Sequence, residues 1–409
     1  MITRKLQASS SKVYEPDYPL QDSSLDVPLS EVLQFTDKQR TAYVKKVLIG
    51  FSKAIDKNEM ALKKRVPFAK EMRDLRSILR SPADKYLYVD ENNYTRNVLG
   101  KGSPGATHTY WSRKFMWRMA TTKGDLTKDI KNLSPRLSTD LIKFLDGENK
   151  SKAGLRNENN TAIVEILNFI QFNRGVGTAF PPFHAKFLAD TFLPKTGDCL
   201  IIDPCSGWGG RLLGTLCVKR TDAVHYVGID PEKRNQEAYE GICRRLNIYL
   251  KKELTGKRSA DFFYKPFEDW IKSAKAKKLI GKADLVITSP PYFSAEVYNT
   301  DNKKQSANRY KSYEDWRENF YRVLVQSAYD LLKPGGVFVL NIANVKSSKY
   351  LERDARQLAR DVGLTNAGFY KLAMSIVPGS RQRGIRHSVL VNGCIFKHEP
   401  VFCFRKPEY

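Results

Sequence analysis

Beyond Thr161 the chain alternates short β-branched runs with helical stretches, and that alternation restricts the folds open to it. The runs are Leu200-Ile201-Ile202, Tyr226-Val227-Gly228-Ile229, Leu285-Val286-Ile287 and Val337-Phe338-Val339-Leu340, with helical patterns over 234–250 and 316–332 between them. Strands buried on both faces read as continuous apolar runs, and the intervening helices supply the crossovers that parallel strands need. The expected core is a mostly parallel sheet with helices on both faces, an α/β architecture. Ligands in such folds bind beyond the carboxyl ends of the strands, so the residues after each run carry the chemistry.

The first 160 residues follow a different grammar. Residues 1–30 are rich in Ser, Asp and Pro and read as an extended arm. From Leu33 to Arg80 the pattern is helical, with Val44, Val47, Leu48, Phe51 and Ile55 on one face and Met72, Leu75, Ile78 and Leu79 repeating it. Residues 100–105 read as a loop, 110–118 as an aromatic and basic segment, and 146–152 as a linker. The expected organisation is a mainly helical basic region over 1–160 and an α/β domain over 161–409, and the chain is long enough for both.

Charge narrows the partner. The 409 residues carry a formal net charge of +25, with 31 basic and 20 acidic residues in 1–180 alone. Such an excess points to a polyanion, because neutralised phosphates release counterions. Six cysteines without a CxxC pair indicate neither a zinc site nor a disulfide framework. The start MITRKLQASSSK has no apolar core, and no apolar run approaches the ~20 residues of a membrane span. These features suggest a soluble, cytoplasmic protein.

Three strand ends carry candidate sites. After the first run come Asp203-Pro204-Cys205-Ser206-Gly207-Trp208-Gly209-Gly210-Arg211, a turn whose glycines let the backbone approach a ligand at a helix N-terminus. Nucleotides, flavins and purely structural turns all use such a loop. After the second run, Asp230 places a carboxylate where it can accept both ribose hydroxyls of an adenosine-containing cofactor, or cap the next helix. Phe267, Glu268 and Asp269 offer an apolar wall and a carboxylate for an adenine amine, or else an ordinary helix start. The segment 180–187, with Phe183, His184 and Lys186, precedes the first strand and either closes over such a cofactor or leaves His184 a packed or capping imidazole. After the third run, Thr288 leads into Ser289-Pro290-Pro291-Tyr292, a rigid element suited to hold an amino-bearing base by its edge and stack on its face, or else a Pro-rich turn ending the strand with Tyr292 a packed aromatic.

Taken in order, these motifs resemble the amino-group DNA methyltransferases, which form N4-methylcytosine or N6-methyladenine from S-adenosylmethionine. The resemblance spans 178–405: residues 183–187 resemble the family's first cofactor segment, 203–209 its cofactor loop, 289–292 its catalytic tetrad and 397–405 its terminal hairpin strand. It implies a Rossmann-like methyltransferase fold, a mostly parallel sheet ending in an antiparallel hairpin. By resemblance, the Ser289 hydroxyl and the Pro290 carbonyl accept the amine's two N–H bonds, Pro291 fixes their aim and Tyr292 stacks on a flipped base. Ser in the first position is more usual for cytosine N4 than for adenine N6. Cofactor contacts are expected from Phe183, His184, Lys186, Asp203, Pro204, Ser206, Gly207, Gly209 and Asp230, and from Phe267 with Glu268 or Asp269. Pro266 stands where many relatives carry an adenine-contacting acid. Pro204-Cys205 superficially resembles a cytosine-C5 nucleophile, but it lies in the wrong loop for that role.

The expected partner is double-stranded DNA, with or without a cognate restriction nuclease. Residues 293–312 read as a DNA-facing loop in which Tyr298, Lys303, Lys304, Gln305 and Arg309 fill the flipped base's gap or grip phosphates, a solvated loop being the plain alternative. Arg381, Arg383 and Arg386 form a second basic loop. Rival readings are an adenine-N6 enzyme, an RNA-base methyltransferase and a catalytically silent DNA-binding protein.

Overall fold

The computed structural model describes residues 25–56, 68–80, 87–88, 98–99, 120–121, 124–147, 160–173, 180–293, 296–298, 302–345, 348–376, 388–391 and 394–408. The aromatic and basic segment 110–118 and the basic loop with Arg381, Arg383 and Arg386 lie outside the described residues.

Four two-residue strands come first: β1 (Leu87–Tyr88), β2 (Val98–Leu99), β3 (Ala120–Thr121) and β4 (Gly124–Asp125). The α/β part adds β5 (Cys199–Asp203), β6 (Val224–Ile229), β7 (Arg258–Phe263), β8 (Ala283–Thr288), β9 (Glu296–Val297), β10 (Leu332–Asn341), β11 (Thr365–Ile376), β12 (Ser388–Val391) and β13 (Cys394–Arg405). The main sheet runs β1-β2-β11-β13-β10-β8-β5-β6-β7. The strands β10, β8, β5, β6 and β7 are mutually parallel, while β13 is antiparallel to both β10 and β11. This is the expected Rossmann-like methyltransferase fold, a mostly parallel sheet closed by an antiparallel hairpin.

Alternation along each strand divides the core in two. Ile201, Tyr226, Leu285, Ile287 and Val339 pack beneath the helices Pro182–Phe192, Gly210–Leu216 and Gln236–Tyr249. Ile202, Val227, Val286, Phe338 and Leu340 pack on the other face against Trp270, Trp316 and the helices Arg322–Leu331 and Leu351–Asp361. All six residues of β8 are buried, as a central parallel strand requires.

The N-terminal residues divide between two cores. The helix Asp37–Asp56 buries Val44, Val47, Leu48, Phe51 and Ile55 against the helices Pro135–Asp146 and Ala162–Asn173, forming a third apolar cluster. Met72, Leu75 and Ile78 of the helix Phe68–Arg80 instead join the sheet's own core. Among the described residues, no helix is long and apolar enough to cross a membrane.

One close approach positions the site. The helix Gly210–Leu216 crosses the start of Pro182–Phe192 so tightly that a Cβ on Gly214 would sit 2.0 Å from the Pro182 carbonyl oxygen, and one on Gly210 1.9 Å from that of Phe180. Gly214→Ala is therefore expected to destabilise by about 3 kcal/mol or more, since backbone atoms cannot turn aside as a side chain can. Gly241→Ala, in a helix where the added carbon meets nothing within 4 Å, should be neutral or stabilise by up to about 1 kcal/mol. Denaturant midpoints of the two variants check both outcomes.

Candidate active site

Asp203 ends β5 with its side chain wholly buried (0% exposed). A buried carboxylate needs a cation and further donors, or it would not stay ionised. The chain supplies them locally: Arg211, eight residues on, donates from Nε at 2.7 Å and Nη2 at 3.3 Å, and the Tyr226 phenol donates at 2.8 Å. Arg211 also donates to the Cys205 carbonyl and lies 5.5 Å from the centroid of the Phe180 ring. Asp203 thus shapes the glycine loop from beneath, whereas its motif had suggested a cofactor contact. The loop closes through two left-handed glycines, Gly207 (φ 56°) and Gly209 (φ 81°).

The same loop is stitched to β6. Ser206 donates its N–H to the Ile229 carbonyl at 2.9 Å, and Gly207 donates to Oδ2 of Asp230 at 2.9 Å. Asp230 also accepts from the Glu232 N–H at 2.9 Å, as a capping residue would. Burial pushes its carboxyl up to about 7. Hydroxyls donated to it would favour the ionised form. Nearby, the Tyr264 phenol oxygen and Asn235 Oδ1 are buried without a hydrogen-bond partner, and Asp230 influences the Tyr264 phenol electrostatically. Buried orphan polar atoms beside a strand-end carboxylate fit a polar ligand such as a nucleoside.

The expected adenine-side acids separate in character. Glu268 is 6% exposed, accepts from the Tyr310 phenol at 2.8 Å and lies 3.1 Å from Arg309 Nε, with burial raising its pKa. Asp269 faces outward and takes the Arg309 fork at 2.8 and 3.1 Å, which lowers its pKa. Phe267 packs in the core against Trp270. Phe183 and His184 are buried at the start of their helix, and Lys186 is buried in an ion pair with Asp190, its charge acting on Cys217. Pro204 is buried within the loop.

The tetrad follows β8, which pairs in parallel with β5 through Ile201↔Leu285 and Ile202↔Val286. Neighbouring strands lie about 4.8 Å apart. The glycine loop and Ser289-Pro290-Pro291-Tyr292 therefore leave the sheet side by side. Pro290 is buried, while Ser289, Pro291 and Tyr292 are half-buried. The Phe293 N–H bonds the Pro291 carbonyl at 3.0 Å, and Phe293 sits at φ 53°, a left-handed conformation that costs a bulky residue energy. Its ring packs against Tyr313 and Trp316, which holds the turn. The Tyr292 phenol donates to Oε2 of Glu399 on β13 at 3.2 Å. Sequence reading did not single out that partner, 107 positions away. Cys205 lies between these elements, its thiol pushed well above the ordinary value by burial and then by Asp203 and Asp230. Held as a protonated thiol, it is no nucleophile.

The loop after the tetrad lies differently from the outward reach expected of it. Gln305 is 5% exposed and Arg309 is turned onto Glu268 and Asp269. Tyr298 packs against Trp208. Of the five residues named there, Lys303 and Lys304 are the ones exposed to solvent.

Residues 216–368 match the family described as Eco57I restriction-modification methylase. No curated protein matches the chain. Among solved structures, a SAM-dependent methyltransferase from Methanosarcina mazei has 12% identity over 57% of this chain and 100% of its own, with a TM-score of 0.33. Precorrin-6y C5,15-methyltransferase from Geobacter metallireducens has 9% identity over 54% and 87%, with a TM-score of 0.31. Geranyl diphosphate methyltransferase, solved with GPP and sinefungin, has 13% identity over 58% and 82%, with a TM-score of 0.32. The strand order is that of a Rossmann-like methyltransferase fold. The matched segment, which holds Asp230, Glu268 and the tetrad, is similar to the restriction-modification methylases.

The Asp203–Arg211 pair gives a direct test of how the loop is held. Arg211→Met leaves a buried carboxylate without its cation and should cost about 3–5 kcal/mol. Tyr226→Phe, which removes one donor to the same group, should cost about 1.5–3 kcal/mol. Equilibrium unfolding in urea measures both, and an Arg211→Met variant as stable as the parent would contradict this reading.

Proposed function

We propose that the chain methylates an exocyclic amine of a DNA base, cytosine N4 in preference to adenine N6, with S-adenosylmethionine as donor. The observation that carries this reading is the adjacency of the glycine loop and the tetrad at the carboxyl ends of the neighbouring strands β5 and β8. The loop, Asp230 and the orphan oxygens of Asn235 and Tyr264 suit an adenosine-bearing donor. When bound, that donor supplies an electrophilic methyl group on a sulfonium. The match to restriction-modification methylases favours DNA, as does the net charge of +25.

The chain's own task is to make a poor nucleophile reactive. The amine's lone pair is delocalised into the base ring, so its two N–H bonds must be drawn into acceptors for the nitrogen to pyramidalise. The Ser289 hydroxyl and the Pro290 carbonyl are those acceptors, and the Pro290-Pro291 backbone keeps them aimed. Tyr292 stacks on the base, its phenol anchored by Glu399. As the N–C bond forms, the amine would release one proton to solvent while Ser289 and Pro290 hold its N–H bonds. Orientation contributes most of the rate in such a transfer. A duplex target must first be flipped out, at a few kcal/mol. The helical region within 1–160, with the exposed Lys303 and Lys304, serves as the clamp on the phosphates.

Nuclease digestion and mass spectrometry of DNA and RNA from expressing cells test the proposal. N4-methylcytosine is expected in DNA from the parent. Ser289→Ala should slow its formation on the order of 100-fold, the scale of a misplaced reacting group. N6-methyladenine alone would overturn the choice of base, and methylated RNA with unmodified DNA would overturn the substrate.

A further inference from the structure

The donor loop and the tetrad loop meet at an aromatic pair that the reaction itself does not require. Trp208 stands between the two left-handed glycines, yet its side chain leaves the sheet and is 9% exposed within the N-terminal helical core, with Phe51, Leu137, Phe144 and Ile163. Tyr298, six residues beyond Tyr292, packs against that same core and meets Trp208 edge-on, with ring centroids 6.0 Å apart. Between Tyr292 and Tyr298, β9 is paired antiparallel with β3 through Ala120↔Val297 and Thr121↔Glu296. The strand β3 pairs with β4, which leads into the helix Leu126–Lys131, and that helix buries Leu126 and Ile130 in the helical core.

We propose that Trp208 and Tyr298 form a joint through which the N-terminal helical core sets the tetrad against the donor loop, making Tyr298 a positioning residue for transfer. The inference rests on the reading of 289–292 as the acceptor site. The chain leaving the tetrad is held twice, once by backbone pairing with the N-terminal strand β3 and once by the ring contact with Trp208. The N-terminal helical core also holds the middle of the donor loop. A displacement of about 1 Å between reacting groups can cost on the order of 100-fold in rate, so a joint shared by both loops has a direct lever on turnover. The sequence pattern had offered Tyr298 as a plug for the flipped base's gap or a grip on phosphates, and the plug would require its ring to leave the core.

Full-length Tyr298→Ala and Tyr298→Phe variants, assayed with labelled donor and duplex DNA, test the joint. Tyr298→Ala should lower kcat by about tenfold or more with the KM for DNA changed less than about twofold, and Tyr298→Phe should restore kcat because the contact is the ring. Unchanged kcat with a raised KM for DNA would overturn the joint in favour of a nucleic-acid contact. So would a Phe variant as impaired as Ala. Hydrogen exchange separates failure of the joint from failure of the methyltransferase reading. In Tyr298→Ala the amides of 207–210 and 288–293 should exchange faster together, whether or not the parent transfers a methyl group. Unchanged exchange at 207–210 would overturn the joint even in an active enzyme.

Discussion

The buried ion pair between Asp203 and Arg211 is the constraint on which the rest of the site depends. A carboxylate at the end of the central strand has no access to water, so the chain must return a cation to it within a few residues. Arg211 does so from the first turn of the next helix, and the intervening loop is thereby pulled tight enough to need glycine at 207 and 209. The helix must then press on residues 180–186, which only Gly210 and Gly214 allow. Charge burial, backbone conformation and helix packing are one solution to one problem. Breaking such a pair by removing one partner costs about 3–5 kcal/mol, which explains why a loop so rich in glycine can be rigid.

Rigidity there matters because the acceptor tetrad emerges on the adjacent strand. The parallel pairing of β5 and β8 brings the two loops together at the ends of neighbouring strands. The remaining freedom lies in the tetrad itself, and three features remove it. Phe293 is held in a strained turn by Tyr313 and Trp316, Glu399 holds the Tyr292 phenol, and β9 is sewn to β3. Glu399 and β3 arrive from distant parts of the chain. Transfer chemistry that relies on orientation more than on acid or base strength accords with such bracing.

What could be read from the sequence follows from the range of each interaction. The strands β5, β6, β8 and β10 announce themselves because burial on both faces demands continuous apolar runs. The glycine loop and the tetrad are legible because their geometry is local. The edge strand β7, with Arg258, Ser259 and Asp261 in its six residues, gives no such signal because, among the described residues, one side of it has no neighbouring strand. Periodicity is equally silent on the two-residue pairing of β3 with β9 and on the link between Tyr292 and Glu399. The role of Asp203 was visible as a motif but not as an ion pair, since nothing in the spacing says that Arg211 turns back. Arg309 looked free for phosphates until the fold placed Glu268 and Asp269 beneath it.

The central claim is that one sheet edge holds a methyl donor and an amino-bearing base together. Incubating the full-length protein with S-adenosylmethionine labelled in the methyl group, and with duplex DNA or RNA, tests it most directly. The account predicts label transferred to DNA, recovered on an exocyclic amine and lost with Ser289→Ala. Donor bound but no label transferred to either polymer, with Ser289→Ala indistinguishable from the parent, would contradict it.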